Sequence, residues 1–254
     1  MYIKTEGIVL REVQYRDTDK ILTVLTRQHG KLTLKARGIA RKVSPLKSAC
    51  QLLTYSEFTI FEYRGFSTIN EAQAKEMFLP LRDNIELLSL ASYFAQVAEV
   101  ISQEDSPNPE LLSLLLNSLH ALAYLHKPQI QIKAVFELRA ACLAGYEPDL
   151  SGCAVCANEQ PERFNIALGV LQCTSCTGDG LQGIRMPVGP GTLQAMRHIV
   201  YGQRSKLFSF QVSEASMQEL SHVTEAYLTA QLERSFFTLD FYKTLLPNQG
   251  VNNG

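Results

Sequence analysis

The sequence predicts an α+β protein of more than one domain: a five-stranded OB-fold barrel, then an all-α helical bundle carrying an inserted four-cysteine zinc module. Three observations lead there. The first 80 residues are rich in Val, Ile, Leu, Thr, Phe and Tyr, in short runs broken by turn residues. From Leu79 onward the apolar residues recur at helical spacing instead. Four of the six cysteines fall within the 24 positions 153–176.

The runs YIKTEGIVLREV, KILTVLTR, KLTLKAR, LLTYSEFTIFEY and GFSTINEAQA read as strands, separated by breaks at 15–19, 28–30, 38–51 and 64–65. Five short strands with one longer excursion between the third and fourth suit a Greek-key barrel of the OB type, although SH3-like barrels have a similar count. The excursion at 38–51 leaves room for a helix. Next, LRDNIELLSLASYFAQVAEVISQ places Ile85, Leu88, Tyr93, Val97 and Ile101 at helical spacing. SPNPELLSLLLNSLHALAYL opens with a proline-containing helix-start signal, and QIKAVFELRAACLAG ends at Gly145, a C′ position. Beyond the cysteines, GPGTLQAMRHIVYG and SEASMQELSHVTEAYLTAQLERSFFTLDFYKTLL read as two more helices, the second a long one. The expected domains are the barrel at 1–80 and a helical domain at 81–246 containing the zinc module 150–180. A flexible tail, 247–254, is expected to follow.

With 254 residues, 46% of them hydrophobic and 19% charged, the chain can bury a sizeable core. It contains no run of about 18 apolar residues, the length a membrane-spanning helix needs. The opening MYIKTEGIVLREVQYRDTDK carries charges throughout and lacks the apolar segment of a secretory signal. A cytoplasmic protein without a membrane partner is expected. Net charge is −1, but that average hides an asymmetry. Residues 1–80 hold thirteen Lys and Arg against eight Asp and Glu, a net of +5, whereas residues 81–254 hold eleven against seventeen, a net of −6. A basic N-terminal third can present an anion-binding face.

Cys153-x-x-Cys156 and Cys173-x-x-Cys176 stand sixteen residues apart. Two such knuckles suit a structural zinc ribbon, since each supplies two thiolates to one tetrahedral ion at about 2.3 Å. The intervening RFNIALGVLQ reads as the hairpin that joins them. Four thiolates close the coordination sphere, so the expected Zn2+ stabilises the fold rather than catalysing a reaction. Disulfide pairing competes with this, and a cytosolic setting disfavours it.

KLTLKAR alternates, putting Lys31, Thr33, Lys35 and Arg37 on one strand face and Leu32, Leu34 and Ala36 on the other. The loop that follows adds Arg41, Lys42 and Lys47, which makes six positive charges in seventeen positions with no Asp or Glu. That pattern suits a phosphate backbone, whose neutralisation releases counterions. Phe58, Phe61, Tyr63 and Phe66 are either stacking surfaces for unpaired bases or, taken singly, core residues.

Other matches fail on context. Gly178-Asp-Gly180-Leu-Gln-Gly183 spells GxGxxG but follows a cysteine turn rather than a strand. Arg64-Gly65-Phe66 begins like an RNA-recognition signature that Thr68, Ile69 and Asn70 do not continue. GxxxxGK[ST], HExxH and GxSxG are absent, and no histidine sits in the HxE of a zinc deaminase. Cys50 and Cys142 read as buried small side chains, and Asp17 and Asp19 as turn formers. Neither a catalytic constellation nor a small-molecule substrate is expected.

The opening TEGIVLREVQYRDTDKILTVLTRQHGKLTLKARG, the segment FELRAACLAGYEPDLSGCAVC, the second knuckle CTSC and the closing RSFFTLDFYKTLL stand in an order that resembles the RecO family of bacterial recombination mediators. The likeness spans about residues 2–246. The sequence departs from the family where KARGIARKVSPLK replaces a loop of the KGARK kind, and where Gly169 is followed by Val170 instead of a second glycine. The resemblance implies an N-terminal OB-fold and a helical domain with a zinc module. It also implies binding of single- and double-stranded DNA, annealing of complementary strands and association with RecR. The acidic C-terminal tail of single-stranded DNA-binding protein would be a further partner, so that RecA loads on coated DNA in gap repair. None of this needs covalent chemistry. On this sequence the DNA contacts fall on Lys31, Lys35, Arg37, Arg41, Lys42 and Lys47, with Arg11 and Arg16 beside them. Arg139, Arg197, Arg204 and Lys206, the sparse cations of the helical half, are candidates for the acidic tail. A protein adaptor with only incidental DNA contact is the alternative, and a zinc-dependent nucleic-acid enzyme would need an open metal site.

Overall fold

In a computed structural model, residues 1–176 and 182–246 are described; the expected tail at 247–254 and positions 178–181 of the glycine motif lie outside them. The five alternating runs form β1 (Tyr2–Gln14), β2 (Lys20–Thr26), β3 (Lys31–Ala36), β4 (Tyr55–Tyr63) and β5 (Phe66–Glu76). They close into a barrel in the order β1-β2-β3-β5-β4. β1 is long enough to pair with β4 through its first half and with β2 through its second, with a bulge between Val9 and Arg11 that bends it as closure requires. Closure is completed by a parallel pairing of Lys35 with Thr68 between β3 and β5. Alternation sends Val9, Leu22, Val24, Leu34, Phe58 and Ile60 inward, where they are fully buried.

The excursion between β3 and β4 is a chain of turns and not a helix. Pro45 has no N–H to give and disfavours a helical residue before it, and what forms after it is a single helical turn, closed by the Cys50 N–H donating to the Leu46 carbonyl at 3.0 Å. Ile39, Leu46 and Cys50 reach from it into the barrel core.

Among the described residues, packing groups Met1–His126 with 236–246 as one compact unit, and Lys127–Ser235 as the other. In the first, the barrel is joined by α1 (Leu79–Arg82), α2 (Ile85–Ile101), α3 (Pro109–Tyr124) and a nine-residue helix late in the sequence, at 237–245. Asn84 caps α2 by accepting from the Glu86 and Leu87 N–H groups at 2.8 and 3.1 Å, and Asn108 caps α3 by accepting from Leu111 at 3.0 Å. The β2–β3 turn docks on the chain after α2, with the Lys31 N–H donating to the Gln103 carbonyl at 3.0 Å. Only glycine fits at position 30, where φ is +64° and a Cβ would lie 2.5 Å from the Ser106 carbonyl oxygen.

The second unit holds α4 (Gln129–Leu143), β6 (Asp149–Cys153), β7 (Arg163–Asn165), β8 (Val170–Gln172), β9 (Arg185–Pro187), α5 (Pro190–Tyr201) and α6 (Glu214–Gln231). Gly145, with φ +95°, ends α4. The small sheet runs in the order β6-β8-β7-β9, and β7 with β8 forms the hairpin expected between the cysteine knuckles. α4 and α6 are locked by a buried ionic group: Lys133 Nζ lies 2.9 Å from Glu137 Oε1 and 2.8 Å from Glu225 Oε2, and Thr224 Oγ1 donates to Glu137 Oε2 at 2.8 Å.

The long helix expected at 213–246 is two helices, α6 and α7 (Phe237–Leu245). Glu233 turns left-handed, with φ 50°, and buried Phe236 packs edge-on against Tyr93 of α2 with ring centroids 5.5 Å apart. No glycine or proline marks the break; the burial of Phe236 in the first unit imposes it. Among the described residues no helix is long and apolar enough to cross a membrane.

Candidate nucleic-acid interface and metal centre

The outer face of the barrel carries the expected cations, in varied circumstances. Lys31, Thr33 and Lys35 on β3 and Arg37 just after it point outward, while Leu34 and Ala36 are buried. Lys31 Nζ donates to the Glu99 carbonyl at 2.9 Å, and the Glu99 carboxylate pairs with Arg11 Nε at 3.0 Å. Lys35 pairs with Asp19 Oδ2 at 3.3 Å and lies over the Tyr15 ring, its Nζ 4.8 Å from the centroid; Arg16 lies over the same ring at 5.4 Å. Asp19 also accepts from the Gly38 N–H at 2.9 Å, and that bond, helped by Lys35, holds its carboxyl below the usual range. Asp19 thus ties the β1–β2 turn to the base of the basic loop, a turn-forming role. Arg37, Arg41, Lys42 and Lys47 are exposed, and none has a carboxylate within ion-pair distance among the described residues. Lys47 stands apart from the β3 row, beside Lys20 and Arg82 in a separate cleft.

The aromatics divide as alternation dictates. Phe58 is 0% exposed in the barrel core, whereas Phe61, Tyr63 and Phe66 are 39%, 58% and 77% exposed. Tyr2, which the sequence reading left out, joins them at 63% exposure, its ring centroid 5.1 Å from that of Phe61. The rings of Phe61 and Tyr63 lie nearly parallel, 6.5 Å apart, and Arg64 sits over Tyr63 at 5.2 Å. With Arg37 they line a cleft of about 410 Å³. The sequence holds a signal for this: counting outward from buried Phe58 and Ile60 on β4 puts Phe61 and Tyr63 on the solvent side.

In the second unit the cations do different work. Arg139 Nη1 donates to the Val200 carbonyl at 3.0 Å. Arg197 donates to the carbonyls of Leu150, Ser151 and Glu159 at 2.7, 3.1 and 2.8 Å, which fastens α5 to β6 and the first knuckle. Arg204 and Lys206 are exposed in a short 3-10 turn.

Cys153 ends β6 and Cys156 follows in a tight turn; Cys173 and Cys176 occupy the turn after β8. Their four Sγ atoms lie within 4.8 Å of one another, and Cys156 Sγ is 3.7 Å from Cys173 Sγ. Four thiolates at about 2.3 Å from one tetrahedral ion stand ~3.8 Å apart, so the cluster is close to the size a bound metal needs. Gly152 permits the first turn, because a Cβ there would come within 3.0 Å of the Asn158 carbonyl oxygen. The sulfurs are also prepared for charge: the Cys173 N–H points at Cys153 Sγ at 3.3 Å, and Asn158 Nδ2 donates to Cys173 Sγ at 3.2 Å. Burial pushes the Cys153 thiol up, but N–H groups of Cys156, Val155 and Cys173 outweigh it and bring it down to about 6. Cys173 and Cys176 then resist losing their protons, with the Cys176 thiol pushed up to about 12 chiefly by Cys156, and a dication supplies the missing countercharge. The set therefore fits a four-thiolate metal with no open position. Cys50 and Cys142 lie elsewhere; burial raises their thiols to about 12 and about 11.

Comparison with known proteins agrees with this architecture. The family model for the N-terminal part of recombination protein O matches residues 1–78, and that for its C-terminal part matches residues 82–240. The chain is 34% identical over 246 residues to the DNA repair protein RecO of Acetivibrio thermocellus, covering 96% of this chain and 97% of that one. It is 31% identical to the protein of the same name from Desulforamulus reducens, over 95% of this chain and 94% of the other. For the one from Bacillus pumilus the figures are 31%, 89% and 88%. With both halves matched and the barrel, helices and cysteine cluster in place, the chain belongs to the RecO family of DNA repair proteins.

Proposed function

We propose that this chain is a DNA-binding recombination mediator. It binds single- and double-stranded DNA through its barrel, anneals complementary strands, and acts with RecR. By engaging the acidic C-terminal tail of single-stranded DNA-binding protein, it helps RecA load onto coated single strands in gap repair. The observation that supports this best is the outward basic row on β3 and its loop, four of whose cations lack a carboxylate partner among the described residues. Beside two strands such charges lower phosphate repulsion, and released counterions drive association. No bond has to be made or broken, so the function is not enzymatic.

The four cysteines would hold Zn2+, which fixes the two knuckles and leaves substrate no coordination position. Of the four cations named for the acidic tail, Arg204 and Lys206 are exposed and would meet it, while Arg139 and Arg197 hold backbone carbonyls of the scaffold. The cytoplasm is the proposed compartment.

Fluorescence anisotropy across a salt series tests the proposal. Wild type is compared with a variant carrying Arg37→Ala, Arg41→Ala, Lys42→Ala and Lys47→Ala. Losing four phosphate contacts flattens the single-strand slope of log affinity against log salt by about 2 to 3. An unchanged slope places the DNA elsewhere, and weak, salt-insensitive binding beside tight protein binding makes the chain an adaptor.

A further inference from the structure

We infer that the aromatic end of the barrel is a separate subsite that takes unpaired nucleobases and gives the protein a preference for single over double strands. This rests on the DNA-binding proposal above and goes beyond it, because the basic face alone treats both forms as polyanions.

Strand register carries the inference. Tyr2 on β1 pairs with Phe61 on β4, Phe61 pairs with Thr68 on β5, and Thr68 pairs with Lys35 on β3. Paired residues share a face, so a single row across four strands runs from two aromatic rings to the basic strand. One step along, Tyr63 pairs with Phe66, the most exposed of the set. Arg37 forms a wall of the cleft between these rings, and Asn70 offers an amide beside them. No acidic residue is among the described residues lining it. The neighbouring Glu62 falls on the other side of β4, where Ser67 Oγ donates to its carboxylate at 3.4 Å.

Large apolar rings normally leave the solvent when a barrel closes; here the alternation that sends Phe58 and Ile60 of β4 inward holds Phe61 and Tyr63 at its surface. An apolar protein segment would cover such rings too. The continuity with Lys35 and Arg37 favours a polyanion whose bases have open π-faces. A strand laid along this row sets its phosphates on β3 and its bases on Tyr63 and Phe66. In a duplex those faces are hidden in the stack, so only the cations remain available to it.

The chain contains no tryptophan, so Phe66→Trp makes a single fluorescent reporter at the proposed stacking site. Oligothymidylate is expected to quench it, while a blunt-ended duplex bound to the same saturation, judged by anisotropy, is expected not to. In parallel, Tyr63→Ala with Phe66→Ala is expected to weaken oligothymidylate binding roughly ten- to a hundredfold. Duplex affinity should stay within about twofold, and the salt slope should not change, because no charge is removed. Tyr63→Phe, which keeps the ring, should restore most of the binding. Equal loss on both DNA forms, no loss on either, or quenching by both overturns the subsite while leaving DNA binding intact. A wild-type protein that binds neither form defeats the DNA-binding proposal itself.

Discussion

The cysteine cluster and the barrel face are built on opposite plans. All four sulfurs come from two short turns on one hairpin-linked sheet, are aimed at one point, and form a closed set. The barrel face draws Tyr2, Lys35, Phe61 and Phe66 from four strands, aims them outward, and leaves their partners to be supplied. A closed inward set adds stability and is intolerant of change; an open outward set adds recognition and costs the fold little when altered. Substitutions should separate along that line.

The largest effect is expected at the cluster. Cys173→Ser removes one of four thiolates, and since metal binding to such knuckles is coupled to their folding, the second unit should lose on the order of 5 kcal/mol or more. A melting curve followed beside metal content reads this directly, with bound zinc falling as the transition drops. At temperatures where the barrel remains folded, oligothymidylate binding should change by no more than about threefold. Zinc lost without any fall in melting temperature would make the cluster dispensable to the fold.

The same contrast explains what could be read from the sequence. A metal site of the knuckle kind is local: the spacing of Cys153, Cys156, Cys173 and Cys176 already contains its geometry, and the hairpin between them followed from RFNIALGVLQ. The strands were legible because alternation is local too. What spanned elements was not. Tyr2 lies 59 positions before Phe61, and only the register of β1 on β4 brings them together. The break before α7 has no local signal, since Phe236 turns the chain by what it packs against, Tyr93. In the excursion after β3, length suggested a helix, and Pro45 and the inward anchors Leu46 and Cys50 decided otherwise.

A smaller but still severe loss is expected inside the second unit, where a lysine does the reverse of what lysines do on the barrel. Lys133 is buried with Glu137 and also pairs with the partly exposed Glu225. Burial alone would lower its pKa, but the two carboxylates outweigh that and raise it. A raised lysine contributes its stability in full below its unfolded pKa, about 10.4, and loses it as pH rises through the higher folded value. The second unit should therefore weaken at the alkaline edge. Lys133→Met strands two carboxylates and should cost about 3–5 kcal/mol, read by urea unfolding, whereas Lys42→Ala on the barrel should stay within about 0.5 kcal/mol. Adding Glu137→Leu to Lys133→Met should recover more than half of the loss, because a buried pair replaced whole by apolar groups costs little. If the double variant is no better than the single one, Glu225 and not Glu137 is the partner that matters.

The smallest expected effect is on the barrel and has the opposite sign. Asp19 is the carboxylate that pairs with Lys35, a proposed DNA contact. The Gly38 N–H, and then Lys35, hold its carboxyl below the usual range, so it stabilises the loop above the ordinary carboxylate pKa and stops doing so as pH falls through its lowered value. Asp19→Asn keeps an oxygen to accept from Gly38 while releasing Lys35. Single-strand affinity should rise by no more than a few fold, and the salt slope should steepen by up to about 0.7, one phosphate contact. A fall in affinity would mean that the carboxylate matters to DNA through the loop it holds and not through the lysine it masks. The basic row would then be set by the backbone at Gly38 more than by the count of its charges.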